Sequence, residues 1–229
     1  KVGVLAVDPT SPFTGGALLG DRIRMQSHHA DPSVFIRSMA TRGQLGGLAP
    51  ATADLTLLLD AAGFSTVLIE TVGVGQDEVD IARLADVTVV VLAPGFGDDV
   101  QALKAGVMEI ADVYVLNKAD QPGIDKLERE LQFLMGLAHR PDGWQPPLVR
   151  CVASEGDGIS AALAAVRNFR DSGLGSQRAV QNWIIRLQAM YRERVSVRLP
   201  SAEVAQAAEQ VATRKVDPYT IVHDWLQRY

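Results

Sequence analysis

Short apolar runs, each closed by a polar or glycine-rich turn, alternate along the first two thirds of the chain with stretches whose apolar residues recur at helical spacing. Val2-Gly3-Val4-Leu5-Ala6-Val7 is the first such run, ending at Asp8-Pro9-Thr10-Ser11-Pro12. Residues 34–37, 66–71, 87–93, 113–116 and 148–153 repeat the form, the last after Pro146-Pro147. Apolar runs of this length without alternation are expected of strands covered on both faces. Between them, residues 49–62, 101–109 and 127–138 carry helical spacing, with Gly63 placed as the stop of the first, and another helix is expected near Ile81. Strands alternating with helices, and loops gathered at carboxyl strand ends, predict an α/β fold built on a doubly wound, mostly parallel sheet.

The pattern then changes. A helix is expected from Gly158 to about residue 170, a break in composition at residues 171–176, and helices over 179–198, 202–214 and 220–228. This divides the chain into a domain over residues 1–173 and a helical arm over 174–229. The arm has too little core to stand alone. Trp183, Ile184, Leu187, Met190 and Trp225 need cover from the first domain or from a second subunit.

Composition narrows the function classes. The 229 residues are 47% apolar and 21% charged, which fits one large core with an appendage. Net charge is −5 and no segment concentrates lysine and arginine, so no nucleic-acid surface is expected. No apolar run approaches the ~20 residues of a membrane span. The single cysteine, Cys151, excludes an internal disulfide and a multi-thiolate metal site, and fits a reducing compartment. His28 and His29 are adjacent, and adjacent residues cannot face one way on a helix or strand, so they read as exposed polar residues rather than metal ligands. Because the chain opens at Lys1 directly into a strand, an upstream segment is expected, and the lack of a targeting signal carries no information.

The candidate chemistry sits at strand ends. Asn117-Lys118-Ala119-Asp120 closes the 113–116 run, where open α/β sheets place ligands. A carboxylate there accepts two hydrogen bonds from the ring N–H and exocyclic amine of guanine, whereas adenine presents an unprotonated ring nitrogen. Leaving a polar group unpaired in a closed site costs about 1–3 kcal/mol, enough to discriminate. Asn117 would tie the loop to its neighbours, the Lys118 stem would cover a face of the base, and a backbone N–H at Ser154 would meet the guanine carbonyl. The alternative is an ordinary surface turn. Asp8 and Asp21, which follows a glycine-rich loop, suit a hydrated Mg²⁺ beside phosphates, or else cap a turn and a helix. Glu70 ends a buried run and is followed by Gly73 and Gly75, which suits a metal and γ-phosphate sensor, glycine letting a backbone N–H approach the phosphate. The alternative is a glycine-rich connection before a helix.

Taken together, "VLAVDPTSPFTGGALLGDRIRM", "IETVGVGQDE", "LAPGFGDDVQALKAGVMEIAD", "NKAD" and "KVDPYTIVHDWL" resemble the methylmalonyl-CoA mutase-associated GTPases of the MeaB/ArgK type, once described as LAO/AO transport kinases. The resemblance implies a P-loop NTPase domain of the SIMIBI type with a homodimerising arm. It implies binding of GTP, GDP and Mg²⁺ and a partnership with an adenosylcobalamin-dependent acyl-CoA mutase, whose cofactor loading or protection is coupled to GTP hydrolysis. A cytoplasmic, bacterial setting is implied as well. On this resemblance Asp8, Asp21 and Glu70 are magnesium-side carboxylates, and Glu70, Asp8 and Gln76 are the catalytic set. Gly73 and Gln76 form the nucleotide-responsive switch, and Asp98, Gln101 and Lys104 a further loop. Asn117, Lys118, Asp120 and Ser154 hold guanine. One departure is large: the family's Gly-x-x-Gly-x-Gly-Lys-Ser phosphate loop is absent, and no Gly-Lys-Ser or Gly-Lys-Thr occurs anywhere. Truncation of an upstream strand and phosphate loop is the expected reason. Two other readings stand beside this one: a metallochaperone GTPase, which the single cysteine and four histidines disfavour, and a non-catalytic dimeric fragment that has lost nucleotide turnover.

Overall fold

The structure, a computed structural model, describes residues 1–8, 25, 28, 30–40, 48–71, 84–95, 110–137 and 140–228. The strands are β1 (Val2–Asp8), β2 (Val34–Ala40), β3 (Thr66–Thr71), β4 (Val89–Leu92), β5 (Val113–Leu116) and β6 (Leu148–Arg150). The helices are α1 (Leu48–Ala61), α2 (Ile124–Leu137), α3 (Ile159–Asp171), α4 (Leu174–Arg198), α5 (Ser201–Ala212) and α6 (Pro218–Arg228). Every pair of described strands is parallel, as the α/β reading requires. The described strands lie in two three-stranded sheets, β2-β1-β3 and β4-β5-β6.

β5 shows why its sequence is apolar throughout. All four of its residues are buried. Tyr114 and Leu116 pack with Ile124, Leu127 and Leu131 of α2, while Val113 and Val115 pack with Cys151 and Ala165, the latter on α3. Side chains that alternate between two faces, each covered by a helix, leave no position for a polar residue. β1 is the middle strand of the other sheet, where Leu5, Ala6 and Val7 are buried.

Several boundaries differ from the sequence reading, for local reasons. β2 runs on to Ala40 because it pairs with β1 residue for residue, from Val2↔Val34 to Asp8↔Ala40. β6 stops at Arg150 because the chain turns into an isolated antiparallel bridge between Val152 and Asp157. α2 begins three residues earlier than residue 127: the Gly123 carbonyl already accepts the Lys126 and Leu127 N–H groups. α4 begins at Leu174, inside the stretch read as a break. The break itself is only Ser172-Gly173, where the Ser172 hydroxyl donates to the Phe169 carbonyl and accepts from the Leu174 N–H. Gly175 lies within α4, and a Cβ there would come within 3.3 Å of the Asp86 carbonyl oxygen. The expected helices near Ile81 and over 101–109 lie outside the described residues.

At the amino end of β5 is a buried ion cluster. Asp112, with no solvent exposure, accepts the Thr88 N–H at 2.9 Å and the Arg178 guanidinium at 2.8 and 2.9 Å, with Arg140 at 3.3 Å. Arg140 also donates to the Ala111 carbonyl and to Asp142. The Arg140 hydrogen bond is the main cause that holds the Asp142 carboxyl down to about 2. Trp144 donates to the Asp112 carbonyl and meets Phe169 edge-on, and Arg178 lies 5.2 Å over that same Phe169 ring.

By its contacts the chain divides into two compact units, Lys1–Arg178 and Ala179–Tyr229, a boundary inside α4. In the second unit α5 and α6 contain no buried residue. Glu203 of α5 accepts the Trp225 indole N–H at 3.0 Å and pairs with Arg228, both on α6. Asp217 starts α6 by accepting the Thr220 N–H, ahead of Pro218 at the first helical position. Trp183, Ile184, Leu187 and Met190 are exposed.

Candidate functional site

The carboxyl end of β5 makes a cavity with convergent polar groups. Past Leu116 the chain is fastened on both sides: the Asn117 N–H donates to the Leu92 carbonyl of β4 at 2.7 Å, and the Cys151 N–H to Leu116 at 2.9 Å. The Asn117 side chain then joins two loops, its Oδ1 accepting the Lys118 N–H at 2.8 Å and the Ala153 N–H at 3.1 Å. The Ala119 N–H adds a bond to the Cys151 carbonyl at 3.0 Å. Lys118 has φ of 57°, the left-handed region that a side chain enters at a cost. A conformation of that kind costs on the order of 1–3 kcal/mol and persists where surrounding bonds enforce it, as they do here.

These two loops enclose about 200 Å³, lined by Asn117, Lys118, Asp120 and Gln121 from one and by Val152, Ala153 and Ser154 from the other. Lys118, Asp120 and Ser154 are exposed and Asn117 half-buried. The donor inventory of the second loop is short. The Ala153 N–H is held by Asn117 and the Glu155 N–H by the Val152 carbonyl, whereas the Ser154 N–H bonds to no described residue. A planar ligand in this cavity would meet a carboxylate on one rim, an unengaged N–H on the other, and an aliphatic lysine stem.

The structure therefore brings Asn117, Lys118, Asp120 and Ser154 to one place. Glu70 stands elsewhere, exposed near the carboxyl end of β3 and in register with Ala6. Asp8 is the last residue of the adjacent β1. Asp21, Gly73, Gln76, Asp98, Gln101 and Lys104 lie outside the described residues. Sequence reasoning missed Gln121, Val152 and Ala153 as lining residues, the last of them adjacent to Ser154. Gln121 had a signal, its place next to Asp120, and Val152, an apolar residue in a loop after a strand, had none.

Comparison with known proteins bears on this geometry. The model of the family described as methylmalonyl Co-A mutase-associated GTPase MeaB matches residues 1–204. A protein of Pyrococcus abyssi (strain GE5 / Orsay), whose name describes it provisionally as a GTPase, is 47% identical over 230 residues, covering 96% of this chain and 71% of its own length. The GTPase ArgK of Escherichia coli (strain K12) is 39% identical over 185 residues, covering 79% and 56%. The mitochondrial methylmalonic aciduria type A homolog of Mus musculus is 38% identical over 180 residues, covering 77% and 43%. The chain thus spans about half the length of several of its curated relatives. Among solved structures, that of an LAO/AO transport system kinase superposes with a TM-score of 0.67 at 28% identity, over 99% of this chain and 71% of that one. The hydrogenase maturation factor HypB from Archaeoglobus fulgidus shares the fold at a TM-score of 0.51 and 18% identity, over 74% and 76%. This chain belongs to the methylmalonyl-CoA mutase-associated GTPase family, a family of P-loop GTPases. No helix among the described residues is long and apolar enough to cross a membrane.

Proposed function

We propose that this chain is the base-reading and arm-bearing part of a GTPase that attends an adenosylcobalamin-dependent acyl-CoA mutase and couples GTP hydrolysis to loading or protection of the mutase cofactor. The observation that carries the nucleotide half is the Asn117 side chain bonded at once to the Lys118 and Ala153 amides, which fixes Asp120 and Ser154 across one cavity. Asp120 reads the guanine ring N–H and exocyclic amine, Ser154 N–H takes the carbonyl, and Lys118 covers the ring. The bases of ATP and ADP would leave both the carboxylate and the amide unsatisfied.

For Mg²⁺ the fit rests on Asp8 and Glu70, hard oxygen donors at the carboxyl ends of neighbouring strands, and the exposure of Glu70 leaves room for the waters this ion retains. Asp21 completes the proposed set. The ion would neutralise charge developing on the transferred phosphoryl group. Gly73 and Gln76 would respond to the nucleotide state. The setting we propose is the bacterial cytoplasm.

The mutase half of the reading is supported by the family name and by the arm. A unit whose α5 and α6 bury no residue, and whose Trp183, Ile184, Leu187 and Met190 are exposed, is suited to a two-fold interface in which one patch serves both copies. Sedimentation velocity of the chain should report a dimer, and deletion from Ser176 onward a monomer or an aggregate. Added mutase should co-sediment with the dimer. A stable monomer with the arm present would overturn the arm's role, and a mutase that sediments alone under all nucleotide conditions would overturn the partnership.

A further inference from the structure

We infer that Gly158, which follows Ser154 in the same loop but does not line the cavity, is a positioning residue for guanine recognition, because only glycine at that point lets the loop after β6 close and hold the Ser154 N–H at the pocket. This rests on the guanine reading of the cavity. The loop is a small closed structure. After Arg150 the Val152 N–H donates to the Asp157 carbonyl at 3.0 Å, and within that closure Glu155 and Gly156 N–H groups return to Val152 and Ala153. The next residue, Gly158, has φ of 76°, and a Cβ on it would lie 2.1 Å from the Arg150 carbonyl oxygen and 2.9 Å from the Cys151 Cα. The Cys151 Sγ stands at 2.9 Å as well, but the two backbone atoms are obstacles that no side-chain rotation relieves.

Something must move, and the surroundings decide what. Arg150 and Val149 are fixed in the ladder with β5. On the other side the Gly158 carbonyl accepts the Ala162 N–H at the start of α3, a helix anchored by buried Ala165 and Phe169. The exposed segment from Ala153 to Asp157 is the part free to yield. Its displacement takes the Ala153 N–H away from Asn117 Oδ1 and the Ser154 N–H away from the cavity. Gly156 provides a matched control. Its φ of 79° makes the same conformational demand, yet a Cβ there meets nothing within 4 Å. Replacing each by alanine therefore separates the left-handed conformation, common to both, from the close approach, confined to Gly158.

The experiment is a nuclear magnetic resonance titration of the ¹⁵N-labelled 229-residue chain with GDP, IDP and ADP, in wild type, Gly156→Ala and Gly158→Ala. IDP keeps the ring carbonyl and ring N–H but lacks the exocyclic amine, so it reports on the Ser154 side of the pocket apart from half of the Asp120 contact. ADP has no carbonyl there. Gly158→Ala should weaken GDP and IDP at least tenfold and leave ADP unchanged, with the Ser154 amide no longer shifting on titration. Gly156→Ala should keep the wild-type ranking. A purely structural role would instead lower all three nucleotides in proportion to the folded fraction, and that result, or an unchanged GDP-to-ADP ratio in Gly158→Ala, overturns the inference. If Gly158→Ala does not fold, a single glycine inserted between Glu155 and Gly156 displaces the same loop without a new Cβ. It should cut GDP and IDP selectively, and an unaltered ratio there is equally decisive against the inference. A wild-type chain that binds all three nucleotides alike overturns the guanine reading and this inference with it.

Discussion

Calorimetric titration of GTP into the 229-residue chain should give a Kd no tighter than roughly millimolar, and the same chain preceded by a family phosphate-loop segment should bind in the micromolar range, a difference of about 4 kcal/mol. The cavity proposed for the base is assembled, but phosphate binding in P-loop proteins depends on backbone N–H groups at a helix N-terminus and a lysine that follows glycine. This sequence contains no Gly-Lys-Ser or Gly-Lys-Thr. The carboxylates proposed for Mg²⁺, Asp8, Asp21 and Glu70, would then meet two or three phosphates without the phosphate-loop lysine and amides to offset the charge. Hydrolysis should be unmeasurable in the shorter protein for the same reason. Micromolar GTP binding by the 229 residues alone would mean that another group, such as Arg22 or Lys104, supplies the phosphate contact.

A second large effect is expected at the opposite end of β5. Asp112→Ala should lower the unfolding free energy by about 3–5 kcal/mol, the range for breaking a buried ion pair from one side. Asp112 has no exposed surface, and its removal leaves the Thr88 N–H without its acceptor and the Arg178 and Arg140 guanidinium groups with Asp142 as the one carboxylate of the cluster. Urea unfolding of wild type and variant measures it, and a change below about 1 kcal/mol would show that water replaces the carboxylate freely. The cluster also sets an acid limb. The Asp142 carboxyl is held at about 2, below its unfolded value, so its contribution is present above pH 4 and is lost as pH falls towards 2. Asp142→Asn should accordingly differ from wild type at neutral pH and converge with it near pH 2.

What the sequence discloses follows from how local the cause is. β5 was legible because double-sided burial forces an unbroken apolar run, and Asn117 to Asp120 because four polar residues at its end are adjacent in the chain. The tie from Asn117 to its neighbours could be expected, but not that its partner would be the Ala153 amide, 36 residues away. Asp112 is a polar residue just ahead of β5, with no local mark of its role. Its partners Arg140 and Arg178 are 28 and 66 residues distant, and nothing local marks them. Gly158 read as a helix start, since its close approach depends on where the Arg150 carbonyl comes to lie. The start of α4 was placed late because Gly173 and Gly175 look alike in sequence. Gly173 is in the left-handed conformation and ends α3, while Gly175 is helical and gives room for Asp86.

The pocket itself is tested most directly by the ratio of GDP to ADP affinity in the chain preceded by a family phosphate-loop segment, as wild type and as Asp120→Ala, measured by titration under identical Mg²⁺ and salt. On the proposed reading the Asp120 carboxylate meets two donors of guanine, where adenine has none suitably placed. Wild type should favour GDP at least tenfold, about 1.4 kcal/mol, and Asp120→Ala should bring the ratio to near unity mainly by weakening GDP. Equal affinities in the wild-type chain, or a preference that survives the loss of Asp120, would contradict the assignment of this cavity to guanine.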